Sequence, residues 1–321
     1  MVSTQVQPGP AGLPSAGPAR RAGRRPQATE PVVRTLLSSG QRRGRRARTI
    51  YWLVFAVTLL LFTLAFLFPL YWAVTGAMKT PVELAQTPPT LLPQEWHPET
   101  YRTAWDGLSL ARYLRNTLLV VVGAWAVQLA VDVPAAYALS KLRPRLGRAI
   151  LALMLVTLML PASALLVPTY LTVADVPLLH VNLINTPLAI WLPAAANAFN
   201  IYLLKRFFDQ IDEDLLDAAR IDGAGPITTM WRIVLPLSRP ILAVVSIFAI
   251  VAAWKDFIWP LLVFPDPDKQ TVSVALQRVA PDVPINYLLA GLVLAGAPMV
   301  VAFIIFQRQI LAGLTAGGVK G

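Results

Sequence analysis

Asp217-Ala218-Ala219-x3-Gly223-x9-Ile233-x-Leu235-Pro236 is the stretch that decides how this chain folds. It is a charged, patterned interruption in a sequence that is otherwise apolar enough to sit in lipid. Residues 205–239 carry five cations (Lys205, Arg206, Arg220, Arg232, Arg239) and six acids (Asp209, Asp212, Glu213, Asp214, Asp217, Asp222). From about Asp212 to Ile221 the pattern fits a short helix. Acids crowd its first turn, which suits the positive end of the helix dipole. Leu215, Leu216, Ala218 and Ala219 supply small and apolar contact surface. Asp222-Gly223 signals a chain reversal, because Gly accepts positive φ. A second apolar stretch, Met230 to Leu237, follows, and Pro236 and Pro240 then break the chain and redirect it. The expectation is a short helix lying across one membrane face, braced by its neighbour and presented to another protein.

The rest of the composition agrees with a membrane setting. Of 321 residues, 56% are apolar and 14% charged, against roughly 25% charged in soluble domains. The mean hydropathy is +0.57. The chain has no Cys, which excludes disulfides and thiolate metal sites. His97 and His180 are far apart in sequence, so no metal site is expected. The net charge of +11 is uneven: residues 1–50 hold ten Arg and one acid, Glu30, for +9, leaving +2 for the remaining 271 residues. Residues 1–48 are poor in large apolar side chains and read as a disordered basic cytoplasmic tail, with 49–321 as the membrane domain. An Arg-rich tail can bind nucleic acid or anionic lipid. Setting orientation is the plainer role, and no nucleic-acid partner is expected. The apolar run Ile50 to Val74 is too long for a signal-peptide core and reads as a retained transmembrane helix.

A spanning helix needs about 20 mostly apolar residues. Six segments qualify: about 50–74, 116–139, 149–171, 183–204, 239–263 and 287–307. Pro161, Pro168, Pro187 and Pro193 interrupt the third and fourth, freeing backbone carbonyls that need partners or a wet cavity. Lys and Arg set the orientation. One side collects 21 cations: the tail, Lys141, Arg143, Arg145, Arg148, the five of 205–239, Arg308 and Lys320. The other collects six: Lys79, Arg102, Arg112, Arg115, Lys269 and Arg278. Both termini are therefore expected in the cytoplasm, with loop 75–115 outside and partly ordered around Trp96, Tyr101 and Trp105. The spans show no duplicated halves, which disfavours an inverted-repeat carrier.

The chain has no phosphate-cradling G-x4-G-K-[ST] string and no catalytic motif. Its energy must come from another subunit or from an ion gradient. A few intramembrane polar groups are candidates for a substrate path. Lys255-Asp256 sits in the fifth span, where ionisable residues usually face a cavity or a partner. Sequence neighbours point apart on a helix, so at most one of the two, with Trp254, meets substrate; the alternative is an interfacial pair that snorkels or bonds a partner helix. Asn197 and Asn200 either line a path or join helices. Asp132, in the second span, is expected to make a local ion pair or water contact. An ion-driven secondary carrier or channel is the reading in which an ion gradient supplies the energy.

The spacing of Asp217-Ala-Ala-x3-Gly223-x9-Ile233-x-Leu235-Pro236 resembles the EAA loop of permease subunits of bacterial ATP-binding-cassette (ABC) importers. The one departure is Asp217 where that family usually has Glu. Asp217-Ala-Ala-Arg-Ile-Asp222-Gly-Ala224 looks like the carbohydrate-uptake, MalG-like branch. Phe68-Pro69-Leu70-Tyr71-Trp72, Met78-Lys79-Thr80 and the tail Gly313 to Gly321 are similar to the same group. Trp254-Lys255-Asp256-Phe257-x-Trp259-Pro260 resembles its fifth span, although Lys255 stands where Asn is commoner. The resemblance covers about residues 48–321. It implies an all-α, six-span type I importer permease fold that translocates a sugar or related polyol and performs no bond chemistry, the alternatives being an ABC permease for a non-sugar solute or an ion-driven secondary carrier. Implied partners are a second homologous permease, two ATPase subunits and an external solute-binding protein, with ATP bound by the ATPases and no cofactor on this chain. Asp217, Ala218, Ala219, Asp222, Gly223, Ile233, Leu235 and Pro236 would form the coupling segment seated on the ATPase. The tail around Gly317 to Gly321 would reach towards the ATPase interface.

Overall fold

The computed structural model describes residues 45–316. The basic tail up to residue 44 and the terminal Gly317 to Gly321 lie outside the described residues. The described chain is helical, with one isolated antiparallel bridge between Val176 and Val181. It divides after Phe62 into two units, each taken here by itself.

Helix α1 (Arg45–Ala77) supplies the described part of the first unit up to Phe62. Trp52, Leu53, Phe55 and Leu60 all stand exposed. A helix apolar all round suits lipid rather than water.

In the second unit, α2 (Pro81–Leu84) and α3 (Glu99–Gly107) order the loop expected outside. Thr80 caps α2, its hydroxyl accepting from the Glu83 amide at 3.2 Å. The Lys79 side chain is only 1% exposed. Its ammonium donates to the Thr90 carbonyl and lies 4.6 Å from the Trp72 ring centroid. A buried cation needs such partners. Glu83 Oε1 accepts from the Thr90 hydroxyl at 2.6 Å and the Gln94 amide at 3.0 Å. The Tyr101 hydroxyl donates to the Val74 carbonyl at 3.0 Å, which ties α3 back to the end of α1.

Helix α4 (Leu110–Tyr137) runs on through a π-helical turn, Ala138–Leu142. It is long and apolar enough to cross a bilayer, as are Arg48–Ala77 and Ile285–Gln307. The other expected spans are broken, and prolines account for two of the breaks. Helices α5 (Gly147–Thr157) and α6 (Ala162–Ala174) meet at 108°. Pro161 cannot bond the carbonyl of Thr157, four residues back, and its ring clashes there, so α5 ends at that residue. The segment 183–204 is not one helix but two short ones, α7 (Leu188–Trp191) and α8 (Ala198–Phe208), with Pro193 between them. Helix α9 (Glu213–Ile221), the short α10 (Pro226–Thr229) and α11 (Leu235–Leu237) follow. Helix α12 (Arg239–Lys255) stops at Asp256, four residues before Pro260, and α13 (Ile258–Val263) resumes. Helices α14 (Val272–Val279) and α15 (Ile285–Ala316) complete the chain.

Against the six spans expected, the described residues hold three helices long and apolar enough to cross a bilayer, or up to five if each bent pair is one span, because hydropathy cannot show that an apolar segment is continuous. The packing also separates the two loop sets that the cation count assigns to opposite faces. At the start of α4, Arg112 pairs with Asp268, and Asn116 donates to the Asp268 carbonyl at 2.7 Å. Arg278 reaches the Tyr113 hydroxyl at 2.9 Å. There Leu110 and Tyr113 pack with Ala104, Val272 and Leu276. At the far end of α4, Tyr137 packs with Leu204, Phe208, Leu216 and Val234.

Candidate functional site

The segment 212–238 is built by local signals. Asp212 caps α9, its Oδ1 accepting from the Asp214 amide at 3.1 Å, and Glu213 and Asp214 occupy the first turn. Helical spacing puts Leu216 and Ala219 on one face, and both are buried, Leu216 against the end of α4, α8 and α12. Asp217, Ala218, Asp222 and Gly223 are exposed. Asp217 pairs with Arg220 at 2.5 Å across one turn, and both side chains are exposed.

The helix closes in a defined C-cap. The Ala224 amide donates to the Ala219 carbonyl at 2.9 Å and the Gly223 amide to the Arg220 carbonyl at 3.0 Å. This paired pattern needs a left-handed residue at Gly223, whose φ is +81°. Beyond it, Met230 and Val234 are buried, Ile233 and Leu235 half-buried and Pro236 exposed. Met230–Val234 is a π-helical turn. Pro236 offers no amide and crowds the carbonyl of Arg232, so the chain widens before it. At Ser238 the run Pro226–Leu237 turns through 85° into α12. The short helix and its redirected neighbour are thus as the sequence predicts.

Polar links join the start of this segment to the end of α4, and α4 in turn to the end of α8. Arg143 pairs with Glu213, and the Lys141 ammonium donates to the Ile211 carbonyl at 2.9 Å. Asp209 accepts from the Ser140 hydroxyl and from Lys205, both at 2.7 Å. Burial pushes the Asp209 carboxyl up, but the hydrogen bonds from Lys205 and Ser140 outweigh it and hold the group below its ordinary 3.8. The start of α9 is therefore held to the end of α4 by an ion pair, and its Leu216 packs in the same cluster as α8.

A cavity of about 880 Å³ opens among α4, α6, α8 and α12. Its polar wall is Gln128, Ser163, Thr169, Asn197, Asn200 and Asp256. Asp256 sits where α12 breaks, and its Oδ1 accepts from the Trp259 amide at 3.4 Å. Of the sequence candidates, Asn197, Asn200 and Asp256 line this cavity. Lys255 is exposed outside it, and Trp254 packs on the cluster of Leu110 and Leu276.

Sequence reasoning missed a contact behind Asn197 in the cavity wall. Asp132 makes no ion pair among the described residues. It is fully buried, and its Oδ1 accepts from the Asn197 amide at 2.9 Å. Asn197 Oδ1 in turn accepts from the Asn200 amide at 3.1 Å and caps α8. A carboxylate on α4 thus holds the start of α8 across the interface, a long-range contact with no local signature. Trp191 Nε1 donates to the Val120 carbonyl at 3.1 Å. The Trp191 indole fills the space beside Gly123, where a Cβ would fall 2.0 Å from it. Among the described residues no group of three or more His, Asp or Glu is placed to hold a metal ion.

Comparison with known proteins fits this geometry. Residues 133–314 match the family described as binding-protein-dependent transport system inner membrane component. The chain is 31% identical over 258 residues to the sn-glycerol-3-phosphate transport system permease protein UgpE of Rhizobium meliloti, covering 77% of this chain and 90% of that one. It is 29% identical over 265 residues to the diacetylchitobiose uptake system permease protein NgcG of Streptomyces coelicolor, covering 81% and 86%. A crystal structure of a bacterial ABC transporter involved in import of the acidic polysaccharide alginate contains a chain that superposes with a TM-score of 0.73. That chain is 25% identical, with coverage of 83% of this chain and 98% of that one. The chain belongs to the inner-membrane permease subunits of binding-protein-dependent ABC transport systems.

Proposed function

We propose that this chain is the permease subunit of an ATP-driven importer that moves a sugar or related polyol into a bacterial cell, with the 205–239 face in the cytoplasm. It works beside a second, homologous permease, two ATPase subunits that bind the ATP, and an external solute-binding protein. The observation that carries this reading is the two-sided α9. Leu216 and Ala219 anchor it inward, while Leu215, Asp217, Ala218 and Ile221 are left exposed for a partner. An Ile that is 87% exposed at the end of a capped helix favours a docking role. Force on that helix would reach the cavity through Phe208 and α8, whose N-terminus Asp132 holds at the cavity wall.

The names of the relatives and of the solved neighbour cover a neutral saccharide, a polyol phosphate and an acidic polysaccharide. The only ionisable side chain lining the described half of the path is an acid, Asp256. A carboxylate in a low-dielectric wall repels a phosphate, so the uncharged sugar is the preferred reading. The test is the full complex with its binding protein in proteoliposomes. Ile221→Glu with Ala218→Glu should leave the chain inserted and paired with the second permease, yet strip the ATPase during purification. Retention of the ATPase would sink the coupling assignment. Stimulation of ATP hydrolysis by a sugar phosphate, and not by any neutral sugar, would sink the cargo assignment alone.

A further inference from the structure

A second cavity, of about 650 Å³, lies at the turn between α4 and α5, and two of its cations, Arg145 and Arg148, play no part in the transport reading. Its wall holds four cations, Arg143, Arg145, Arg148 and Lys205, against one acid, Asp209, for a net +3. The acid is already engaged by Lys205 and Ser140. Arg143 is paired with Glu213. Arg145 and Arg148 have no hydrogen-bond or ion-pair partner among the described residues. Two guanidinium groups are therefore free at the rim of a basic hollow. A guanidinium fork matches phosphate oxygens two at a time.

The surroundings say where that phosphate comes from. Helix α5 forms half of a bent pair long and apolar enough to cross a bilayer. Leu146, Ile150, Leu153 and Val156 stand exposed beside the cavity and up the helix. Cations at the mouth of the hollow thus adjoin an apolar skirt, where headgroups give way to acyl chains. A soluble phosphate would use the cations and leave the skirt unused. A phospholipid uses both. We propose that this cavity binds the headgroup of an anionic phospholipid, with its acyl chains lying along Leu146, Ile150 and Leu153. The site would tether the α4–α5 turn to the bilayer surface beside the Arg143–Glu213 link to α9. It rests on the membrane-spanning reading of α5 and not on the coupling role or the cargo.

Native mass spectrometry of the full complex, extracted in mild detergent, tests it. Added dioleoylphosphatidylglycerol should be retained on this chain, and dioleoylphosphatidylcholine should not. The double variant Arg145→Ala, Arg148→Ala should weaken retention of the anionic lipid by about tenfold to thirtyfold. The variant Arg145→Lys, Arg148→Lys should lose only a few-fold, which separates charge from misfolding. Equal retention by the wild type and the alanine variant would overturn the proposal. So would displacement of the lipid by inorganic phosphate, which would mark a free-anion site. Loss of the ATPase with lipid retention unchanged would also overturn it, by making the patch a protein contact.

Discussion

Gly223→Val isolates the geometry of the coupling segment. A Cβ at this position meets nothing within 4 Å, so the substitution adds no clash. Its whole effect comes from the backbone, at φ +81°. A residue with a Cβ loses about 1–2 kcal/mol in that region, and β-branching puts Val at the upper end. Leaving the region disrupts the amide bonds from Gly223 and Ala224 that close α9. A total near 2 kcal/mol corresponds to about a thirtyfold shift in the population of the closed turn. If the ATPase docks only on that conformation, its apparent affinity falls by the same factor. Gly223→Asn should fall only a few-fold, because Asn visits the left-handed region more readily. The assay is titration of purified permease pair with ATPase subunits, alongside the melting temperature of the pair. The reasoning fails if Val binds ATPase as well as Gly, or if Asn is as damaging as Val.

Three further outcomes follow from the packing. Leu216→Ala removes a buried side chain between α9 and the end of α4 and should destabilise by about 2–4 kcal/mol; proteolysis of membrane vesicles should show the 205–239 segment cut faster while the spans remain intact. Gly123→Ala drives a methyl into Trp191 and should lower thermal stability by about 1–3 kcal/mol, with Trp191→Ala in the same chain recovering part of the loss in the same melting assay. Asp256→Ala should change the concentration of cargo giving half-maximal uptake, whereas Lys255→Ala, outside the cavity, should leave it within about twofold; the reverse pattern would move the path to the other side of α12.

What was legible in the sequence was local. The Asp212 cap, the acids of the first turn, Gly223 and Pro236 are short-range signals, and α9 and the 85° turn at Ser238 follow from them. Lys and Arg sidedness is a count, and the loops it groups do pack together at opposite ends of α4. The broken spans were less legible, because hydropathy averages over a window that a single proline can interrupt. Pro161 lies four residues beyond the end of α5 and Pro260 five beyond the end of α12, whereas Pro69, Pro134 and Pro298 sit inside unbroken helices. The difference depends on neighbours that can take up the freed carbonyl. Least legible were the contacts across helices. Asp132 and Asn197 are 65 residues apart, and Trp191 and Gly123 are 68 apart. Nothing in either local pattern announces the partner. For the same reason Asp256 and Lys255 were indistinguishable until α12 was seen to end between cavity and exterior.

The absence of native Cys makes one experiment unusually clean. Ala218→Cys places a single thiol on the exposed face of α9. A membrane-impermeant maleimide is then applied to inside-out and right-side-out vesicles, with and without the ATPase. The account predicts labelling only in inside-out vesicles, and protection there when the ATPase is bound. Labelling from the outer side, or labelling from the inner side that the ATPase does not block, would contradict it.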